Sequence, residues 1–134
     1  VAAWRSPAIG WDATRKALAM RSELRHAYDN ELGAARDAER AGDPARAFGH
    51  LERAHILSQR FTMAHVRVHV AMLGFGWRRS DRREIVGQLT RIVAAALFSR
   101  LWIPEGNTGG ANVNPLKPMP VPDDLATLLQ RQNI

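Results

Sequence analysis

Gly42-Asp43-Pro44 opens the stretch that decides the fold, which runs through Phe48-Gly49-His50-Leu51-Glu52-Arg53-Ala54-His55 to His65-Val66-Arg67-Val68-His69. Gly42 suits the position just past a helix end, where a left-handed backbone meets no Cβ clash. Asp43 can cap the following helix with its carboxylate, and Pro44 fits the first helical position. Ala47, Phe48, Leu51, Ala54 and His55 then fall on one face, which predicts a helix over 44–58. After Ser58-Gln59-Arg60, a second face of Phe61, Ala64, His65, Val68, His69, Met72 and Leu73 predicts a helix over 61–75.

A short connection makes such helices antiparallel neighbours. Counted outward from the turn, His55 comes level with His65, and Glu52 with His69. Glu52 and His55 are three apart and share one side of their helix, while His65 and His69 are one turn apart. The four side chains Glu52, His55, His65 and His69 are therefore expected to converge. Neutral imidazole and carboxylate are ligands for a transition metal such as Zn, Cu or Fe. The same pattern also fits core histidines bonded to backbone or to one another. His50 lies about 140° around the helix from His55 and points elsewhere, and His26 reads as a surface residue.

Outward from this pair, Leu24, Ala27, Tyr28, Leu32, Ala35 and Ala38 form a helical stripe over 21–41. Downstream, Gly74, Gly76 and Trp77-Arg78-Arg79-Ser80-Asp81 interrupt the pattern. Asp81 with Glu84 resembles a capping box, opening a helix with Ile85, Leu89, Ile92, Val93, Ala96 and Leu97 on its apolar face. Asp43, Gly49, Leu51 and Arg53 recur as Asp81, Gly87, Leu89 and Arg91, each 38 later (81 − 43 = 38), so two copies of one helical unit are expected. In this alignment His55 corresponds to Val93. Between Pro104 and Pro122, prolines and glycines exclude regular structure. A tail helix with Leu125, Leu128 and Leu129 follows, capped by Asp123 or Asp124.

The chain of 134 residues is long enough for one domain with a real core. Residues 1–19 read as an N-terminal extension, 20–103 as the helical-hairpin domain, and 104–134 as an arm and tail helix packed on it. With no cysteine there is neither a disulfide framework nor a thiolate site, which fits a cytoplasmic setting. No run of about 18 apolar residues is present, so no membrane span is expected. The net charge of +6 attracts acidic partners weakly, but no nucleic-acid reading motif accompanies it. Arg78, Arg79, Arg82 and Arg83 read as a solvated turn.

Gly106-Asn107-Thr108-Gly109-Gly110-Ala111-Asn112-Val113 lacks the lysine and following helix of a phosphate loop. It reads as a ligand clamp with Asn107 and Asn112 as cofactor contacts, or as a reversal that ties down the tail. Together with His50-Leu51-Glu52-Arg53-Ala54-His55-Ile56-Leu57, Gln59, His65-Val66-Arg67, His69 and Gly76-Trp77-Arg78-Arg79, this string resembles a bacterial family, domain of unknown function 3703. The resemblance covers about Arg21 to Leu129 and implies a shared fold and shared key residues, but no activity.

The expected fold is all-α, built of antiparallel helical hairpins that look tetratricopeptide-like, with an extended Pro/Gly-rich C-terminal arm. The leading function is transition-metal binding through His55, His65, His69 and Glu52. A metal-free scaffold for a protein or peptide partner, or for self-association, is the alternative. No nucleophile stands beside a base at a recognisable spacing, so an enzyme is not the expected reading. A metal-dependent enzyme with Glu52 as base is the second alternative.

Overall fold

A computed structural model describes residues 19–98 and 104–132. They form five helices: α1 (Ser22–Arg40), α2 (Pro44–Ser58), α3 (Thr62–Arg78), α4 (Arg82–Phe98) and α5 (Asp123–Gln132). No strand occurs among the described residues. The first nineteen residues, assigned to an extension, lie outside the description except for Ala19.

Local chemistry accounts for the turns. Gly42 takes φ +76°, and the Asp43 carboxylate accepts from Arg46 N at 3.0 Å, so α1 stops and α2 starts within three residues. Three-residue connections also join α2 to α3 and α3 to α4, and each successive pair packs together. The last helix, α5, rests on α1 and α2. Leu24, Tyr28 and Leu32 of α1 meet Ala47, Leu51 and Ala54 of α2, Val68 and Met72 of α3, and Leu125 of α5 in one buried core. The Tyr28 hydroxyl donates to the Ala64 carbonyl at 3.0 Å, which tethers α1 to α3.

Two expectations need correction. The helix predicted to end at 75 runs on through Gly74 and Gly76 to Arg78. Glycine costs a helix about 1 kcal/mol, and here burial of Val68, His69, Met72 and Phe75 along α3 outweighs it. The second correction concerns α4, whose apolar stripe only partly faces the protein: Ile85 and Ile92 are half-buried, the rest exposed. Val86, Leu89, Val93 and Leu97 are all more than half exposed, whereas Glu84, Gln88 and Ala95 are buried. Val93 is therefore no core counterpart of His55: the 38-residue repeat marks matching helix starts, not matching environments. Helix α4 turns a polar stripe inward, and that inversion supplies the surroundings of the histidines.

Residues 104–122 contain no helix or strand. Gln59, at the end of α2, holds their start. Its Nε2 donates to the Pro104 and Asn107 carbonyls at 3.1 and 3.2 Å, and its Oε1 accepts from Gly106 N at 3.2 Å. The Arg91 guanidinium of α4 donates to the Val113 carbonyl at 2.8 Å. The segment thus bridges the end of α2 and α4.

Candidate metal centre

His55 of α2 and His65 and His69 of α3 meet at their Nε2 atoms. His55 and His65 are 2.8 Å apart there, His65 and His69 3.2 Å, and His55 and His69 3.3 Å. His55 and His69 are buried and His65 is half-buried. Burial is the main force on all three, holding His55 well below the ordinary imidazole range, His65 at about 3 and His69 at about 4. All three rings are therefore neutral at physiological pH, with one N–H each.

The outer partners decide where those protons sit. His55 Nδ1 is 2.8 Å from the Asn107 carbonyl, which can only accept, so this nitrogen carries the hydrogen. His69 Nδ1 is 2.6 Å from Gln88 Oε1. The orientation of that amide is dictated by its other end, because Gln88 Nε2 faces the Glu84 carboxylate and the Gly109 carbonyl, both acceptors. Hence His69 also donates from Nδ1. Both rings then present bare lone pairs at Nε2, facing one another at 3.3 Å. A single hydrogen on His65 Nε2, 2.8 Å from His55 and 3.2 Å from His69, serves one of these lone pairs fully and the other only in part, and an imidazolium is disfavoured by burial.

A cation serves both lone pairs. With metal–nitrogen bonds of about 2.0–2.1 Å, three ligands of a tetrahedral ion lie about 3.3 Å apart and three on an octahedral face about 2.9 Å apart. The observed separations of 2.8 to 3.3 Å cover that span. Hydrogen bonds from the ligating imidazoles to carbonyl acceptors are also the usual outer layer of a histidine metal site.

Of the four predicted ligands, the structure brings three together. The described histidine, cysteine and acidic side chains with ligand atoms all within 4.8 Å of one another are His55, His65 and His69. Glu52 is outside that group, half-buried one turn before His55, with its carboxyl raised first by burial. His50 faces α1, where its Nδ1 meets Glu31 at 2.7 Å. Asn107 is buried, yet its side chain serves the loop itself. Nδ2 donates to the Asn114 and Lys117 carbonyls, both at 2.8 Å, and Oδ1 accepts from Gly109 N at 3.0 Å. Asn107 reaches the site through its backbone oxygen. Asn112 is exposed. In the arginine turn, Arg78 pairs with Glu39 at 2.7 and 2.9 Å and Arg79 stands over the Phe75 ring.

The glycine string is explained by close approach. Gly109 has φ +81°, and a Cβ there would lie 2.6 to 2.7 Å from ring atoms of His55. Its backbone covers the imidazole. Sequence reading missed Glu84, Gln88 and Arg91, the inner stripe of α4. Their spacing of four and three was the available signal, but a polar stripe beside an apolar one normally means the polar side faces water. Half of the expected capping box forms: Asp81 Oδ1 accepts from Glu84 N at 3.0 Å, but the Glu84 side chain goes inward to Gln88 and to Ala111 N.

No helix among the described residues is long and apolar enough to cross a membrane. Neither the curated proteins nor the solved structures contain a match to the chain. A family model described as "Protein of unknown function (DUF3703)" matches residues 22–129, and the chain belongs to that family.

Proposed function

We propose that this protein binds a first-row transition-metal ion, Zn²⁺ first and Cu or Fe as the alternatives, through Nε2 of His55, His65 and His69. The observation that carries this is the lone-pair contact between His55 and His69, each committed by its Nδ1–H to an outside acceptor. Three neutral imidazoles without thiolate favour Zn²⁺ and leave a coordination position open. Glu52 acts from outside the ligand set. The fold that carries the site is read as tetratricopeptide-like hairpins over 20–103, with 104–134 packed on them as its cover, in a cytoplasmic protein. Elemental analysis of untagged protein, beside a His65→Ala, His69→Ala variant, tests the reading. Near-stoichiometric metal lost in the variant is expected. Equal absence of metal in both, even after addition of Zn, Cu and Fe, overturns it.

A second reading, a scaffold for a protein partner or a second copy, has one observation in its favour: the exposed Val86, Leu89, Val93 and Leu97 face of α4. It predicts binding or self-association indifferent to chelators.

A further inference from the structure

Glu84 is buried, and the ion pairs among the described residues do not include it. Arg91, on the same inner stripe of α4, gives its guanidinium to the Val113 carbonyl instead. Both Glu84 oxygens meet donors: Oε1 accepts from Gln88 Nε2 at 2.5 Å and Oε2 from Ala111 N at 3.0 Å. A protonated carboxyl would turn its hydroxyl towards one of these N–H groups, so the arrangement is that of a carboxylate. A buried charge without a counter-charge is costly, and the chain nevertheless makes room for this one. At Gly76 of α3 a Cβ would lie 3.0 Å from Glu84 Cβ, and at Gly87 of α4 a Cβ would lie 2.7 Å from that of Ala111. Gly76 thus admits the Glu84 stem, and Gly87 admits the loop residue that Glu84 holds.

The two contacts lead to different histidines. Through Oε1, Glu84 holds the Gln88 amide with its oxygen 2.6 Å from His69 Nδ1. Through Oε2 it holds Ala111, in the loop whose Asn107 carbonyl lies 2.8 Å from His55 Nδ1. Gln88 Nε2 also donates to the Gly109 carbonyl at 2.9 Å, which joins the two branches.

Resting on the metal reading above, we propose that Glu84 is the positioning residue of the three-histidine centre: one buried carboxylate commits both His55 and His69 to Nδ1–H, leaving both Nε2 atoms bare for the ion. Its charge also offsets that of the cation. Glutamine in its place would have one accepting and one donating end. It could serve Gln88 or Ala111 but not both, and its amide hydrogens would oppose the N–H of the other.

Exchanging the two side chains tests this. Zn²⁺ affinity by calorimetric titration, and the imidazole tautomers of the metal-free protein by nitrogen NMR, would be measured for wild type, Glu84→Gln, and the double variant Glu84→Gln, Gln88→Glu. In the exchanged pair the carboxylate at position 88 accepts from His69 Nδ1, and the amide at position 84 donates to that carboxylate and accepts from Ala111 N. The Gly109 carbonyl alone loses its donor. Wild type should show Nδ1–H at His55 and His69. Glu84→Gln should bind Zn²⁺ about 10–100-fold more weakly, with Nε2–H appearing at one of the two rings. The exchanged pair should return His69 to Nδ1–H and recover most of the affinity. Wild-type affinity and tautomers in Glu84→Gln overturn the proposal. So does an exchanged pair no better than Glu84→Gln, because a side chain that only fills space gives no such rescue. If Glu84→Gln does not fold, a folded exchanged pair with Nδ1–H at His69 supports the proposal and an unfolded one overturns it. A wild type that takes up no Zn²⁺, Cu or Fe overturns the metal reading, and the tautomers of the metal-free protein still decide the role of Glu84.

Discussion

At the scale of single residues, the site is governed by which nitrogen holds which proton. Metal-free protein should lose stability as pH falls from about 6.5 towards 4. The unfolded histidines take up protons near 6.5, while in the folded state burial holds His65 at about 3 and His69 at about 4. Over that window the unfolded chain binds more protons, so stability rises with pH and drops on acidification, by up to about 1.4 kcal/mol per pH unit for each such histidine. Thermal denaturation of chelator-treated protein from pH 7 to 4 measures this, and a flat profile would show that the rings are not buried neutral. Gln88→Leu keeps similar bulk but removes the acceptor of His69 Nδ1. It should weaken Zn²⁺ binding about 10–100-fold by calorimetric titration, as outer partners of metal ligands generally do. Gly109→Ala places a methyl 2.6 Å from the His55 ring at φ +81°. A loss of about 1–3 kcal/mol in denaturant unfolding is expected, and an unchanged midpoint would mean that the loop does not rest on the ring.

The elements divide into those that the apolar pattern describes and the one it does not. Helices α1 and α2 bury the stripes read from their sequences: Leu24, Tyr28, Leu32, Ala35 and Ala38 in the first, Ala47, Leu51 and Ala54 in the second. Helix α4 reverses the rule, with Glu84 and Gln88 inside and Leu89 outside. The repeat pairs Leu51 with Leu89, which makes a direct comparison possible. Leu51→Ala should cost about 2–5 kcal/mol as a core truncation. Leu89→Ala should stay within about 0.5 kcal/mol as a surface change. Chemical denaturation of the two variants decides the matter, and equal costs would mean that α4 buries its apolar face. Periodicity located α4 correctly but put Leu89, Val93 and Leu97 on the inner side, because period alone states where the stripe is and not what it packs against. Here the inner stripe is polar because it has polar partners: the His69 imidazole, the Gly109 carbonyl and Ala111 N.

Across the whole molecule, the centre joins parts of the chain far apart in sequence, His55 on α2, His69 on α3, Gln88 on α4 and Asn107 in the loop. An ion held there should stabilise the folded protein as a unit. At a free Zn²⁺ concentration of 100 times Kd, the gain is about 2.7 kcal/mol, or roughly 8–10 °C in a domain of this size. Differential scanning fluorimetry with and without Zn²⁺ measures it, and the His65→Ala, His69→Ala variant should show no such rise. The sequence by itself determined the helices, their turns at Gly42-Asp43-Pro44 and near Asp81, and the meeting of His55 with His65 and His69. These follow from spacing of three and four residues and from the reach of a short turn, both local properties of the chain. Only the tertiary structure decided that Glu52 stays outside the cluster of three histidines, that Asn107 meets His55 through its carbonyl, and that Gln88 and Glu84 stand behind His69. The contacts of Gln88 with His69 and of Asn107 with His55 span 19 and 52 residues and depend on how two helices and a loop without regular structure come together, which no local period encodes.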